Sequence, residues 1–323
     1  MDKFYSDASS SRGVSFSDRE KRCSDHFNAL LQRYGGVWHV FTPGISTEVL
    51  NLSERDYRFS VSNMAISAEE AGLVVLTDAH MSNHIHALFL GERSGCFRFV
   101  ELFRYRLRKH LQSGGRFCDL GSFRCDEPVA VDSLEMVRNE IAYIHRNGFV
   151  AYRRFTPYSY PWSGGALYFN YSAQRKLGTV FNRIPFRQKR KLSFRSRISL
   201  PDNLTVRGDM IEQASYIRFD LGEPLFRDAH HYFYALSKNM EAYSEEACRL
   251  GDLVVLSDEE IYPVARMISQ RDYRVDRPSL LDPDEKIAVA RTLHYKYHAS
   301  NQQIRRVLKL DLLVVDSLFP AGK

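Results

Sequence analysis

The sequence predicts an α+β fold: a small sandwich of strands and helices over about residues 22–170, then a mainly helical region running to residue 323. Three observations carry this. The stretch GLVVLTDAHMSNHIHALFLG holds two strand-like runs, Leu73–Thr77 and His84–Leu90, divided by the polar DAHMSN, which is the pattern of an antiparallel hairpin. Amphipathic helical patterns stand before and after these runs, so helices are expected to cover a sheet. After residue 170 the texture changes: a basic run gives way to long helical patterns.

Taken in order, residues 1–21 are rich in Ser, Asp and Arg and poor in branched apolar residues, which predicts a mobile tail. CSDHFNALLQRYGG, from Cys23, reads as a short helix stopped by glycine, and VWHVFTPG as a strand ended by Pro43-Gly44. Thr47 to Glu70 has helical character, with Ser53 and Glu54 at its start. Phe97 to Leu111 is a basic amphipathic helix closed by Ser113-Gly114-Gly115. Asp132 with Glu135 three residues on is a capping-box signature opening SLEMVRNEIAYIHRN, which Gly148 is expected to end.

Residues 171–199 carry Arg175, Lys176, Arg183, Arg187, Lys189, Arg190, Lys191, Arg195 and Arg197 with few acids, and read either as a basic linker or as an ordinary solvated loop. Residues 200–323 read as a helical domain. FRDAHHYFYALSKNMEAYSEEACRLG has a long amphipathic pattern, and the end divides into DPDEKIAVARTLHYKYHA, SNQQIRRVLKL and DLLVVDSLF, with Asp284, Ser300 and Asp311 at cap positions. Three compact helices with a short turn fit a helix-turn-helix that binds DNA, the alternative being a plain packing module.

Composition sets the outer limits. A chain of 323 residues fits two domains, and a net charge of +6 favours an anionic partner only weakly. Five cysteines (Cys23, Cys96, Cys118, Cys125, Cys248) form no CxxC pair, so a disulfide framework is not expected and a reducing, cytoplasmic setting is. No apolar run reaches the ~18–20 residues that span a bilayer. Nothing in the pattern selects between monomer and homodimer.

The chemistry centres on His84 and His86. One residue apart on a strand, they point to the same face while Ile85 turns to the core, and two neutral imidazoles side by side can bind a divalent metal. An HxH pair by itself also occurs in cupins, in metallo-hydrolases and by chance. In the capped helix Tyr143 and Asn147 lie four apart and share a face. Beside the histidine strand they would bring a phenol and an oxygen ligand to one ion; apart from it they are a helix tyrosine and a residue near a helix end.

VVLTDAHMSNHIHALF resembles the M-P-N-H-V-H-L-L signature of the REP-associated tyrosine transposases and related single-tyrosine insertion-sequence transposases. AYIHRNGFVA followed by YPWSGGALYF resembles their Y-I-x-x-N-P-V-x-A-G-L-V and W-P-W-S-S-Y blocks. The resemblance covers about residues 35–170, and HASNQQIRRVLKLDLLVVDSLF is similar to the helix-turn-helix that longer members append. It implies a ferredoxin-like HUH sandwich with His84 and His86 on the central strand, Tyr143 as nucleophile and Asn147 at the third ligand position. Ser82 stands where the family usually has proline, Gly148 where Asn-Pro is usual, and Gly164-Gly165 in place of Ser-Tyr.

The implied activity is DNA nicking and strand transfer, with Mg²⁺ or Mn²⁺ polarising the scissile phosphate and Tyr143 forming a 5′-phosphotyrosine intermediate. Imidazole ligands favour Mn²⁺ over Mg²⁺ in affinity. The substrate would be single-stranded, often hairpin-bearing, DNA. Arg104, Arg106, Arg108 and Lys109 are expected to track phosphates, Trp162 or Tyr160 to stack on a base, and Arg305, Arg306 and Lys309 to add affinity from the C-terminal helices. Arg104, Arg106, Arg108, Lys109 and Trp162 or Tyr160 read otherwise as a solvated helix face and a core aromatic. Two rival functions follow: a domesticated DNA-binding regulator with this fold and no cleavage, and a metal-dependent hydrolase adding His80 and Asp78 to the HxH pair.

Overall fold

A serine opens the first helix well before the apolar residues begin. Ser15 accepts a hydrogen bond from the Asp18 amide and caps α1 (Phe16–Tyr34). The computed structural model describes residues 15–43, 49–151, 155–194, 200–237, 258–297 and 299–319. Of the tail expected over residues 1–21, residues 1–14 lie outside the described residues, whereas 16–21 are helical. Their anchor is electrostatic: Glu20 pairs with Arg138 at 2.6 Å and Arg227 at 3.3 Å, which holds its carboxyl below the usual range. Apolar periodicity carries no trace of such a contact.

After α1 come β1 (Val37–Phe41), α2 (Glu54–Ala71), β2 (Val74–His80), β3 (Ile85–Leu90), α3 (Arg93–Ser113), β4 (Val129–Ala130) and α4 (Leu134–Ala151). The four strands form one antiparallel sheet in the order β2-β3-β1-β4. Ser53 and Asp56 build the capping box of α2. For α4 the side-chain cap is Ser133, which accepts from the Met136 amide at 3.2 Å, rather than Asp132. Gly148 does not end α4, which runs on to Ala151. A Cβ at 148 would lie 2.2 Å from the Tyr160 ring, so glycine serves close packing here and not termination.

Register divides the side chains between the two faces. Ala79 and Phe41 both pair with His86, and His39 pairs with Leu88, so these residues share one face. Ile85, Ala87 and Phe89 take the other face, where α2 and α3 cover them; the Phe89 and Phe99 rings meet at 4.7 Å. The first face receives α4. A bulge between Val75 and Thr77 leaves strand carbonyls that need donors, and Tyr168 Oη donates to Leu76 O (2.9 Å) while the Arg218 amide donates to Val75 O (2.8 Å). Beyond the bulge the Tyr160 hydroxyl donates to His80 O and the His80 amide to Trp162 O. These segments cover the exposed edge of β2.

The basic stretch is folded rather than a linker. β5 (Thr179–Val180) pairs with β6 (Thr205–Arg207) and β6 with β7 (Met210–Ile211), and α5 (Phe186–Ser193) lies between β5 and β6 in the chain and packs on α2. Arg195 and Arg197 lie outside the described residues. The expected boundary at residue 200 also moves. Through α6 (Gln213–Tyr216), α7 (Phe219–Gly222) and α8 (Ala229–Leu236) the chain completes the sandwich. Arg138 donates to Leu225 O, and Arg146 donates to Ala235 O and Leu236 O, carbonyls that the end of α8 leaves open. Residues 238–257, the rest of the long amphipathic pattern, lie outside the described residues.

Four helices follow: α9 (Asp258–Tyr273), α10 (Pro283–Tyr297), α11 (Asn301–Leu308) and α12 (Leu312–Leu318). They pack on one another through Ile261, Ala265, Leu293, Ile304 and Leu308, all buried. Ser300 and Asp311 are side-chain caps as the sequence suggests. Asp284 is not a cap: it sits in the first turn of a helix that already begins at Pro283. Lys309 takes a left-handed conformation (φ 53°) to turn α11 into α12. Among the described residues no helix is long and apolar enough to cross a membrane.

Candidate active site

His39 of β1, His84 and His86 at the start of β3, and Glu140, Tyr143 and Asn147 of α4 occupy the α4 face of the sheet. His86 lies within β3, while His84 directly precedes it and is the partly exposed member of the pair. Their rings stand 5.1 Å apart and nearly perpendicular. The Tyr143 ring meets His86 edge-on at 5.5 Å and His39 at 6.0 Å. Asn147, one turn on, is buried and donates its amide to the Tyr143 carbonyl at 3.1 Å. The structure therefore brings the sequence-predicted histidines and tyrosine together, with Asn147 beside them on the same helix.

Two residues not singled out in the sequence complete the group. His39 Nδ1 lies 2.8 Å from Glu140 Oε2, and His39 Nε2 lies 3.2 Å from His86 Nδ1, with all three side chains fully enclosed. The carboxylate and Nδ1 meet at ion-pair distance without hydrogen-bond geometry; with the proton on that nitrogen, His39 Nε2 would accept from His86 Nδ1–H and leave the His86 lone pair on Nε2. At His84 Nδ1 the partner is Asn83 Oδ1 at 2.8 Å, an acceptor that likewise places the lone pair on Nε2. Burial, reinforced by the neighbouring His84 and His39, pushes His86 well below the ordinary imidazole range, so it is neutral.

A neutral His86 beside His84, with His39 and Glu140 behind it, suits a divalent ion that accepts imidazole ligands. Among the described residues no three His, Cys, Asp or Glu side chains converge as a ready metal site.

The sequence did offer a signal for the missed pair. Glu140, Tyr143 and Asn147 stand at i, i+3 and i+7 on one helix face, and His39 is a lone polar residue inside the apolar strand VWHVF. A second buried group braces α4: His145 lies 2.6 Å from Thr77 Oγ1 and 2.8 Å from Tyr232 Oη, and burial lowers its pKa to about 3. The two PWSGG glycines allow the close approach this needs. A Cβ at Gly164 would meet Thr77 Oγ1 at 2.3 Å, and one at Gly165 would meet Pro157 O at 2.4 Å.

Several expected contacts are corrected. Arg106 is a core residue, 1% exposed, bonded to Glu70 and to Ser67 Oγ, because it falls in the buried stripe of α3 with Phe103, Leu107 and His110. Tyr160 is buried beneath β2 and cannot stack on a base. Arg104 is half-buried and paired with Glu101, whereas Arg108 and Lys109 are exposed. Trp162 stacks on Tyr57 at 5.2 Å with one side partly open. Arg305, Arg306 and Lys309 are exposed on and after α11. Asp78 and His80 point to the opposite face from His86, where His80 meets Ser60 Oγ at 2.7 Å and Tyr216 Oη donates to Asp78 at 2.6 Å. They cannot join the HxH pair on one ion.

No protein-family model, curated protein or solved structure matches the chain.

Proposed function

We propose that this chain is an HUH-type, single-tyrosine enzyme that nicks and rejoins single-stranded DNA, as a transposase does. One observation carries the reading: His86 of β3, with His84 just before the strand, meets Tyr143, on a helix more than fifty residues away, on a single face of the sheet. The strand order β4-β1-β3-β2, with helices after β1 and β3, agrees with a ferredoxin-like sandwich.

In this reading Tyr143 Oη attacks the scissile phosphorus, the Tyr–O–P bond forms as the P–O3′ bond breaks, and the products are a 5′-phosphotyrosine and a 3′-hydroxyl. The phenol loses one proton and the leaving oxygen gains one. His84 and His86, with Asn147, would hold Mg²⁺ or Mn²⁺, which when bound supplies positive charge at the phosphate. Glu140 and His39 hold His86 in the tautomer that presents Nε2, and Asn147 fixes the backbone of the turn that carries the nucleophile. In α11, Arg305 and Arg306 with Lys309 would add duplex or hairpin affinity in a helix-turn-helix of α10–α12.

A second reading has its own observation. Tyr143 is only 2% exposed, which suits a DNA-binding regulator that keeps the fold without cleavage. Incubation of the full-length protein with labelled hairpin-bearing single strands and Mn²⁺ separates the two: a denaturant-resistant protein–DNA adduct supports the enzyme, and retained DNA binding without adduct supports the regulator.

A further inference from the structure

The folded basic segment creates a cleft on the side of the sheet away from Tyr143. Its walls are the start of α2, the end of α3 and the whole of α5, and its volume is about 540 Å³. Arg187, Arg190 and Lys191 stand at i, i+3 and i+4 on the exposed side of α5, and Arg55 lines the same cleft from α2. Among the described residues none of these four cations makes an ion pair. Asp209, the acid in the lining, is already engaged with Arg58 at 2.7 Å. The floor is a stacked pair, Phe59 on His110 with ring centres 4.1 Å apart, and Phe194 meets Phe59 edge-on at 5.6 Å.

Four like charges gathered in one concavity repel one another, and the one acid in the lining, Asp209, is already paired with Arg58. An anion with several spaced charges would. Cations lining a groove beside aromatic rings are the arrangement that follows a single nucleic-acid strand, whose phosphates pair with the cations while a base meets a ring.

We propose that the cleft of Arg55, Arg187, Arg190 and Lys191 binds the sugar–phosphate backbone of a single nucleic-acid strand, at a site separate from the Tyr143 face. It deepens the DNA reading above by naming where a second stretch of strand is held. The test is fluorescence anisotropy of a labelled mixed-sequence single-stranded oligonucleotide with full-length protein over a salt series. Two quadruple variants are compared: Arg55→Gln/Arg187→Gln/Arg190→Gln/Lys191→Gln, and a control of equal charge, Arg22→Gln/Arg33→Gln/Arg98→Gln/Arg277→Gln.

The cleft variant should bind about tenfold or more weakly and lose roughly 2–3 from its salt slope, at ~0.7 per single-strand phosphate contact. The control should change little. All substituted side chains are exposed, and Arg190→Glu alone, checked by an unchanged thermal midpoint, gives a second measurement of the same effect. Equal weakening in both quadruples, or none in either, overturns the proposal. So does displacement of the oligonucleotide by millimolar inorganic phosphate, or equal loss of duplex and single-strand binding. If wild type forms no tyrosine adduct while the cleft variant still loses affinity, the enzymatic reading alone fails; adduct formation with unchanged cleft-variant binding sinks the cleft alone.

Discussion

Glu140 needs no substrate contact to matter in the proposed site, because its carboxylate lies 2.8 Å from His39, which in turn meets His86 at 3.2 Å. Glu140→Gln keeps the volume and removes the charge. Mn²⁺ binding measured by calorimetry should weaken by about 10–100-fold while oligonucleotide affinity holds; unchanged Mn²⁺ affinity would reduce the relay to packing. His145 makes a claim about pH. Its folded pKa, lowered to about 3, lies below the ordinary ~6.5, so its contribution to stability is complete above ~6.5 and is lost as pH falls below it. Each such proton adds about 1.4 kcal/mol per pH unit to the slope. Urea titrations from pH 7.5 to 5 should show falling stability in wild type and a slope smaller by one proton in His145→Gln; identical slopes would contradict the assignment. His84, His86, Tyr143 and Asn147 were legible because short spacings fix their faces. His39 and Glu140 owe their role to a contact between distant segments, which no local pattern encodes. Arg106 was misread because a count of charges was taken for a face, although its spacing from Phe99, Phe103 and His110 already places it in the buried stripe.

For the elements, α4 matters most, since it carries Tyr143, the proposed nucleophile, and is braced from both ends. Gly148→Ala sets two effects against each other. Helix propensity favours alanine by ~1 kcal/mol. The added Cβ, 2.2 Å from the Tyr160 ring, must displace a buried aromatic bonded to β2, and overpacking of this kind costs about 1–3 kcal/mol. The clash should dominate and chemical denaturation should show net destabilisation; a stabilised variant would mean that the ring yields freely. The hairpin, its flanking helices and the α4 cap region were legible from periodicity and capping residues. The basic segment was not. Its two-residue strand β5 is too short to show alternation, and its fold depends on pairing with β6 across twenty-odd residues.

Across the whole molecule, the fold closes only when residues 200–236 are present, because Arg138, Arg146, His145 and Asp78 find partners there. Truncation after Arg197 should abolish the cooperative melt. Truncation after Ser237 should preserve the melt and adduct formation, while lowering the salt slope of DNA binding by roughly 0.7–0.9 for each phosphate contact that Arg305, Arg306 and Lys309 supply. Equal slopes in the full chain and the Ser237 truncation would make α9–α12 a packing module. The boundary expected at residue 200 was not legible, since short helices that complete a core resemble those that start a new one. The enzymatic reading depends on Tyr143 being a nucleophile. The most direct measurement mixes full-length protein with a labelled pool of hairpin-bearing single strands and Mn²⁺, then resolves it under denaturing conditions beside Tyr143→Phe. The account predicts a covalent adduct in wild type that maps to Tyr143 and vanishes in the variant with DNA binding intact; full adduct yield from Tyr143→Phe, or none from a folded, DNA-binding wild type, would contradict it.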